Sequence, residues 1–160
     1  MNNYSEAEYE IFSRQFILKE FSEQNLKKLS KIKIGIVGMG GIGCPLSQYL
    51  VSSGIKELFI VDGDNIEKSN LNRQILFNLK DVGSKKVNIA KKKLKLINSE
   101  CKINVMDQNI NSSNLNFLDE CFIVVDATDN WGTSKLLNEY CISNSINFLY
   151  SSALGHDMQI

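Results

Sequence analysis

The sequence predicts an α/β protein, a mainly parallel sheet with helices on both faces, preceded by an N-terminal helical arm. Three observations carry this expectation. Short apolar, β-branched runs ("KIKIGIVG", "ELFIVD", "KINVMDQ", "CFIVVDATD", "INFLYSS") alternate with stretches of helical periodicity, and such alternation builds a parallel sheet covered on both sides. The first run stops at a glycine cluster that opens a helical stretch, and the second run ends on a carboxylate. With right-handed crossovers these units give a Rossmann-like sheet.

Taken in order, Ser5 to Glu8 has capping-box spacing and starts an N-terminal helix. A second short helix is expected from Ser22 to Ser30. "KIKIGIVG" is the first strand, β-branched and apolar after its lysines and stopped by a glycine, as in a buried strand. "GIGCPLSQYLVSSG" is a helix with Ile42, Leu46, Tyr49 and Leu50 at helical spacing. Pro45, the only proline, sits in its first turn, where the missing N–H costs little. "ELFIVD" is the second strand, and "GSKKVNIAKKKLKLIN" a helix with Val87, Ala90, Leu94 and Ile97 on one face. Three further strands follow, with "WGTSKLLNEYCISNS" as the clearest helix among them. The stretch from Asp64 to Lys80 has little periodicity and is long for a connection, a length often found at functional sites. Residues 1–31 therefore read as an arm and residues 32–160 as one nucleotide-binding domain.

Composition narrows the classes. The 160 residues are 43% hydrophobic and 22% charged, and 18 basic side chains balance 18 acidic ones. That neutrality argues against a bulk nucleic-acid or membrane surface. No apolar run reaches membrane-spanning length. Four scattered cysteines without a C-x-x-C pair argue against a zinc site and against a disulfide scaffold, as in a reduced, cytoplasmic protein. Cys101, Cys121 and Cys141 read as packing positions, and Cys44 opens a helix behind the glycine cluster, with no sulfur-transfer role.

Gly38, Gly40 and Gly43 form G-x-G-x-x-G between a strand and a helix, with Gly41 as a fourth glycine. Glycines let the backbone approach a phosphate, and the helix N-terminus offers free N–H groups to it. Asp62 lies nineteen residues beyond Gly43, where a carboxylate takes a ribose hydroxyl, with Asp64 as the lesser candidate. This much suits a dinucleotide and a mononucleotide alike. Additional cations favour a triphosphate with Mg²⁺. Of eighteen basic residues only Arg14 and Arg73 are arginine, and Arg73 survives inside "SNLNRQ". Its planar fork grips phosphate in a way that lysine cannot copy. Asn70 adds an amide. A lysine at the start of the following helix faces the same side of the sheet, and the sequence leaves Lys85 and Lys86 open. Asp129, after the fourth strand, suits either a magnesium ligand or a helix N-cap. Asp126 reads as structural and Trp131 as packing.

Together, "SRQ", "GIVGMGGIGCPLSQYLVSSGI", "LFIVDGDNIEKSNLNRQILF", "DVGSKKV" and "VVDATDN" resemble the ThiF/MoeB/HesA family from about Phe12 to the last residue. Members adenylate small ubiquitin-fold sulfur carriers, and the family is related to the ubiquitin-activating enzymes. The resemblance implies that Gly41 and the glycine loop meet the nucleotide phosphates and that Asp62 meets the ribose. It places Ser69, Asn70, Leu71, Asn72 and Arg73 along the nucleotide, with Asn70 and Arg73 at the distal phosphates. Lys86 is implied at the phosphate under attack, Asp129 at Mg²⁺ and Asn130 beside the nucleotide. Arg14 is implied to reach the ATP of a partner subunit in a homodimer. The implied cofactors are ATP and Mg²⁺, and the implied partner is a ubiquitin-fold sulfur-carrier protein ending in Gly-Gly. The family continues well beyond this length, so the chain is expected to hold only the N-terminal adenylation part. A paired-cysteine zinc site belongs to the other part in many members, and none is expected within this chain. Two rival readings stand beside this one: an NAD(P)-binding redox protein, and a non-catalytic ATP-binding or dimerising remnant of the family.

Overall fold

The computed structural model describes residues 6–154 and 157–160. Five strands, β1 (Lys33–Val37), β2 (Glu57–Val61), β3 (Lys102–Met106), β4 (Ile123–Asp126) and β5 (Asn147–Tyr150), form one sheet in the order β3-β2-β1-β4-β5. Every pairing is parallel. The expected Rossmann-like sheet is therefore present. Its strand order reverses beside β1, which pairs with β2 on one side and β4 on the other. The loops leaving β1 and β4 diverge there and open a crevice.

Helices α3 (Gly43–Ser52) and α4 (Lys86–Ile97) cover one face, where Val51, Val87, Ala90 and Leu94 pack on Ile34, Ile36, Leu58 and Ile60. Helix α5 (Trp131–Ser143) and the short helix Leu115–Leu118 cover the other, with Leu118, Leu137 and Cys141 against Val37, Val61 and Val124. The arm carries α1 (Glu6–Ile11) and α2 (Glu23–Leu29). Ser22 caps α2, its side chain accepting from Asn25 N. The proposed cap of α1, Ser5, lies outside the described residues, as does His156. The arm docks on the end of α3. Gln15 Nε2 donates to Ser53 O at 3.4 Å, Lys56 pairs with Glu8 at 3.0 Å, and the Phe12 ring lies against Gly54.

Several local expectations differ. In the α3 stretch Ile42, Leu46 and Leu50 pack on the core as expected, beside fully buried Cys44, Ser47 and Val51, but Tyr49 is 76% exposed. The close seating of Gly43 on Gly38 fixes the start of this helix and so its rotation about its axis. Helix α4 begins at Lys86, not at Gly83, and Ile97 is exposed at its far end. Trp131 is 78% exposed and packs into no core. Beyond the fifth strand lies an antiparallel pair that periodicity did not reveal, β6 (Ser152–Leu154) with β7 (Asp157–Gln159).

The long connection from β2 to α4 is ordered in a definite way. Residues 64–66 run antiparallel to residues 83–86. Lys86 N donates to Asp64 O at 3.1 Å, Ile66 N to Ser84 O at 2.8 Å, and Gly83 N to Ile66 O at 2.8 Å. This short ladder closes the base of an excursion whose middle inserts Gln74, Leu76 and Phe77 into the interior.

Candidate nucleotide cleft

A cleft of about 730 Å³ opens at the carboxyl end of the sheet, over β1, β2 and β4. Its floor is the loop from Gly38 to Gly43. Two of these glycines are demanded by the fold itself. Gly38 has φ +98°, and a Cβ on Gly43 would lie 1.9 Å from Gly38 O. Gly40 is different. A Cβ there would meet nothing within 4 Å, and at Gly41 it would make only ordinary contact with the Arg73 side chain at 3.6 Å. Chain packing does not require these two glycines. They leave open space over the backbone of the cleft floor.

The loop is tied to Asp62. One carboxylate oxygen accepts from Met39 N at 2.7 Å and the other from Asp64 N at 2.8 Å. Lys86, 6% exposed, sits between two carboxylates, with Nζ 2.7 Å from Asp64 Oδ2 and 3.7 Å from Asp62 Oδ2. This settles which lysine faces the cleft. Lys85 turns outward, pairing with Asp107 at 3.1 Å and donating to Gly63 O at 2.9 Å. Arg73 lies against Gly41, and its Nη1 is steadied by Ser69 O and Asn72 Oδ1, each at 3.1 Å.

Gly38, Gly40, Gly41, Asp62, Asn70, Arg73, Lys86, Asp129 and Asn130 line the cleft. Gly43, Ser69, Leu71 and Asn72 do not. Ser69 Oγ donates to Glu67, Leu71 packs on the core, and Asn72 supports Arg73. Arg14 is exposed in the turns after α1, outside the cleft of its own chain. The cap of α5 is Asn130, whose Oδ1 accepts from Thr133 N at 3.0 Å. Asp129 thus has no capping duty, and among the described residues it makes no hydrogen bond or ion pair. Asp126 is fully buried and accepts from Thr128 N and Oγ1, in keeping with a structural role.

Residue-by-residue reading missed Gln74, Gln108, Asn109 and Thr128, all of which line the cleft. Gln74 is 2% exposed and its Oε1 has no partner. Such an acceptor is costly to bury and expects a donor. It stands next to Arg73 within the stretch already singled out, but only tertiary packing reveals its burial. Asn109 follows a strand end, the position where ligands of open α/β sheets are met, and that signal was available. Behind the loop, burial pushes the Cys44 thiol up to about 12, so it offers no thiolate to the cleft. No group of three or more His, Cys, Asp or Glu among the described residues could hold a metal ion by itself.

Fold and cleft define a class of protein, the doubly wound α/β proteins whose ligand crevice lies at the reversal of strand order. The sequence places the chain more narrowly. Residues 12–160 match the model of the ThiF family, and the chain belongs to that family. It is 40% identical over 150 residues to an adenylyltransferase and sulfurtransferase MOCS3 of Drosophila persimilis, covering 93% of this chain and 33% of that protein. It is 33% identical over 160 residues to a probable molybdopterin-synthase adenylyltransferase of Gracilaria tenuistipitata var. liui, covering 99% and 45%. The fold superposes with a TM-score of 0.86 on the E. coli tRNA N6-threonylcarbamoyladenosine dehydratase TcdA in complex with ATP, at 26% identity, covering 97% of this chain and 64% of that one. It matches E. coli MccB, solved with AMPCPP and MccA, with a TM-score of 0.81 and 34% identity over 94% and 45% of the two chains. The chain thus spans a third to a half of the length of these curated relatives.

Proposed function

We propose that this chain binds Mg·ATP and adenylates a carboxylate, that of the C-terminal Gly-Gly of a small ubiquitin-fold sulfur-carrier protein. The observation that carries this reading is that Arg73, lying against Gly41, and buried Lys86 line one cleft together with the two glycines that chain packing leaves free. One helix N-terminus and its loop suffice for a pyrophosphate, so two additional cations point to a longer phosphate chain. The adenylyltransferase names of the relatives and the ATP bound to TcdA agree with it.

In this reading a carboxylate oxygen attacks the α-phosphorus, the bond to the bridging oxygen breaks, and pyrophosphate leaves with the electron pair. No general base is required, because the nucleophile is already ionised. The residues supply position and charge. Lys86 and Arg73 hold the phosphates, Asp62 the ribose, and Asn70 and Asn130 flank the nucleotide. Mg²⁺ neutralises phosphate charge when bound. A free carboxylate at Asp129 fits it, since magnesium usually takes one or two protein carboxylates and completes its shell with water and phosphate.

The charges lining the cleft are Asp62, Asp64 and Asp129 against Arg73 and Lys86, a net of −1. A triphosphate adds about four negative charges. The cleft is therefore short of cations, which supports both magnesium and a further arginine from a second subunit. In this reading Arg14 takes that role; it is exposed on the arm near exposed Ile11, Ile17 and Leu18, apolar side chains that a two-fold contact would cover. No helix among the described residues is long and apolar enough to cross a membrane. Four free, buried cysteines favour a reduced compartment, and we read the protein as cytoplasmic. The test is a thermal melt with ATP or NADH, followed by pyrophosphate exchange with candidate carriers. Stabilisation by NADH alone would support the redox reading. ATP binding without exchange would support a non-catalytic ATP-binding remnant.

A further inference from the structure

We propose that Asp64 is the positioning residue for Lys86, holding its ammonium in place for the nucleotide's α-phosphate; this rests on the nucleotide reading above. Asp64 ends no strand and caps no helix. Its backbone is fixed at both ends: its carbonyl accepts from Lys86 N at 3.1 Å, and its own N–H donates to Asp62 Oδ1 at 2.8 Å. The ladder of residues 64–66 with 83–86 makes Asp64 and Lys86 one rigid unit.

A lysine ammonium has three protons and no acceptor. In Lys86 the nearest acceptors are Asp64 at 2.7 Å and Asp62 at 3.7 Å. Asp64 takes one N–H in a hydrogen bond, Asp62 attracts the ammonium from 3.7 Å, and the other N–H bonds remain for a ligand in the cleft. A buried lysine without such partners would not keep its charge in place, because an unpaired buried charge is strongly disfavoured. Asp62 alone cannot do this, being shared with Met39 N at 2.7 Å and lying farther from Nζ. Asp64, whose side chain is 65% exposed, is not itself a buried charge and serves at small desolvation cost.

The ligand series adenosine, AMP and Mg·ATP tests this on the chain itself, with binding read by calorimetry and by the fluorescence of Trp131, the single tryptophan, adjacent to the cleft residue Asn130. Asp64→Ala should leave adenosine affinity unchanged and weaken AMP and Mg·ATP by a similar factor of about tenfold, the size of one charge-assisted hydrogen bond. In a Lys86→Met background the same substitution should have no further effect on AMP. Asp64→Asn, which keeps an acceptor, should show a smaller loss with the same selectivity, and it serves if the alanine variant does not fold. Three results overturn the proposal. A parallel loss of adenosine binding places Asp64 on the ribose. A loss that needs Mg²⁺ makes it a metal ligand. Tighter ATP binding makes it only a repulsive charge. If the unsubstituted chain binds none of the three ligands, the nucleotide reading fails instead.

Discussion

Replacing Gly40 by alanine separates what the glycine loop does for the fold from what it does for a ligand. An added Cβ at Gly40 meets no atom within 4 Å, and the residue is not among those with positive φ. The folded chain should accept it without strain. The unfolded chain loses freedom, a gain of about 0.4–1 kcal/mol for a compatible Gly→Ala change. For a domain of this size that raises Tm by about 1–4 °C. The ligand meets the opposite effect. A methyl group on the loop displaces any phosphate resting there and removes a charge-assisted hydrogen bond worth about 1.5–3 kcal/mol, hence roughly 10- to 150-fold in Kd. Calorimetric ATP titration and a thermal melt of the same sample read both quantities. Gly43→Ala is the control. Its Cβ would sit 1.9 Å from Gly38 O, so the fold itself should fail. A Gly40→Ala protein that is as stable as the parent and binds ATP equally well would refute the placement of phosphate on this loop.

Asp129→Asn should leave Tm unchanged, because Asn130 is the cap of α5, while weakening ATP binding at least about tenfold only when Mg²⁺ is present; a drop in Tm without that magnesium dependence would count against it. In an active context, Arg14→Ala and Arg73→Ala proteins should each be nearly inactive, yet after mixing and subunit exchange they should regain about a quarter of the pyrophosphate-exchange activity, since half of the dimers then carry one intact site; no recovery despite proven exchange would place Arg14 in its own subunit or outside the reaction. Gln74→Leu should raise Tm by about 2–4 °C by removing a buried, unpartnered acceptor, yet weaken nucleotide binding; unchanged binding would make Gln74 a packing residue. Burial pushes all four thiols up, Cys44 and Cys121 to about 12 and Cys101 and Cys141 to about 11. The thiolate fraction at pH 8 is then far smaller than for a free cysteine, and the native protein should show no fast-reacting thiol by disulfide-reagent titration until denaturant is added.

What could be read from the chain and what could not divide along physical lines. The glycine loop was legible because a tight turn between strand and helix has a local stereochemical signature, carried by Gly38 and Gly43. The sheet was legible because strands covered on both faces are apolar throughout. On α3 the spacing of Ile42, Leu46 and Leu50 marked residues that pack on the core, but Tyr49 turns outward, and the most buried positions are the smaller Cys44, Ser47 and Val51. The choice of Lys86 over Lys85 depends on the ladder with residues 64–66, a pairing across nearly twenty residues that no helical periodicity encodes. Gln74 was missed for the same reason, because its neighbours come from elsewhere in the fold. The pair β6–β7 has three-residue strands, too short to show any period.

The position of β1 between β2 and β4 also governs the order of events during synthesis. Ile34 pairs with Leu58 soon after both leave the ribosome, but its other neighbour, Ile123, is made much later. Until then one edge of β1 is bare and the apolar side chains meant for the far face have no cover. Parallel pairings between such distant residues form slowly and leave intermediates prone to association. The cleft needs the loops after both β1 and β4, so a nascent chain cannot hold a nucleotide before β4 and the start of α5 have emerged. Nucleotide added during translation should therefore protect only chains that extend past Thr133.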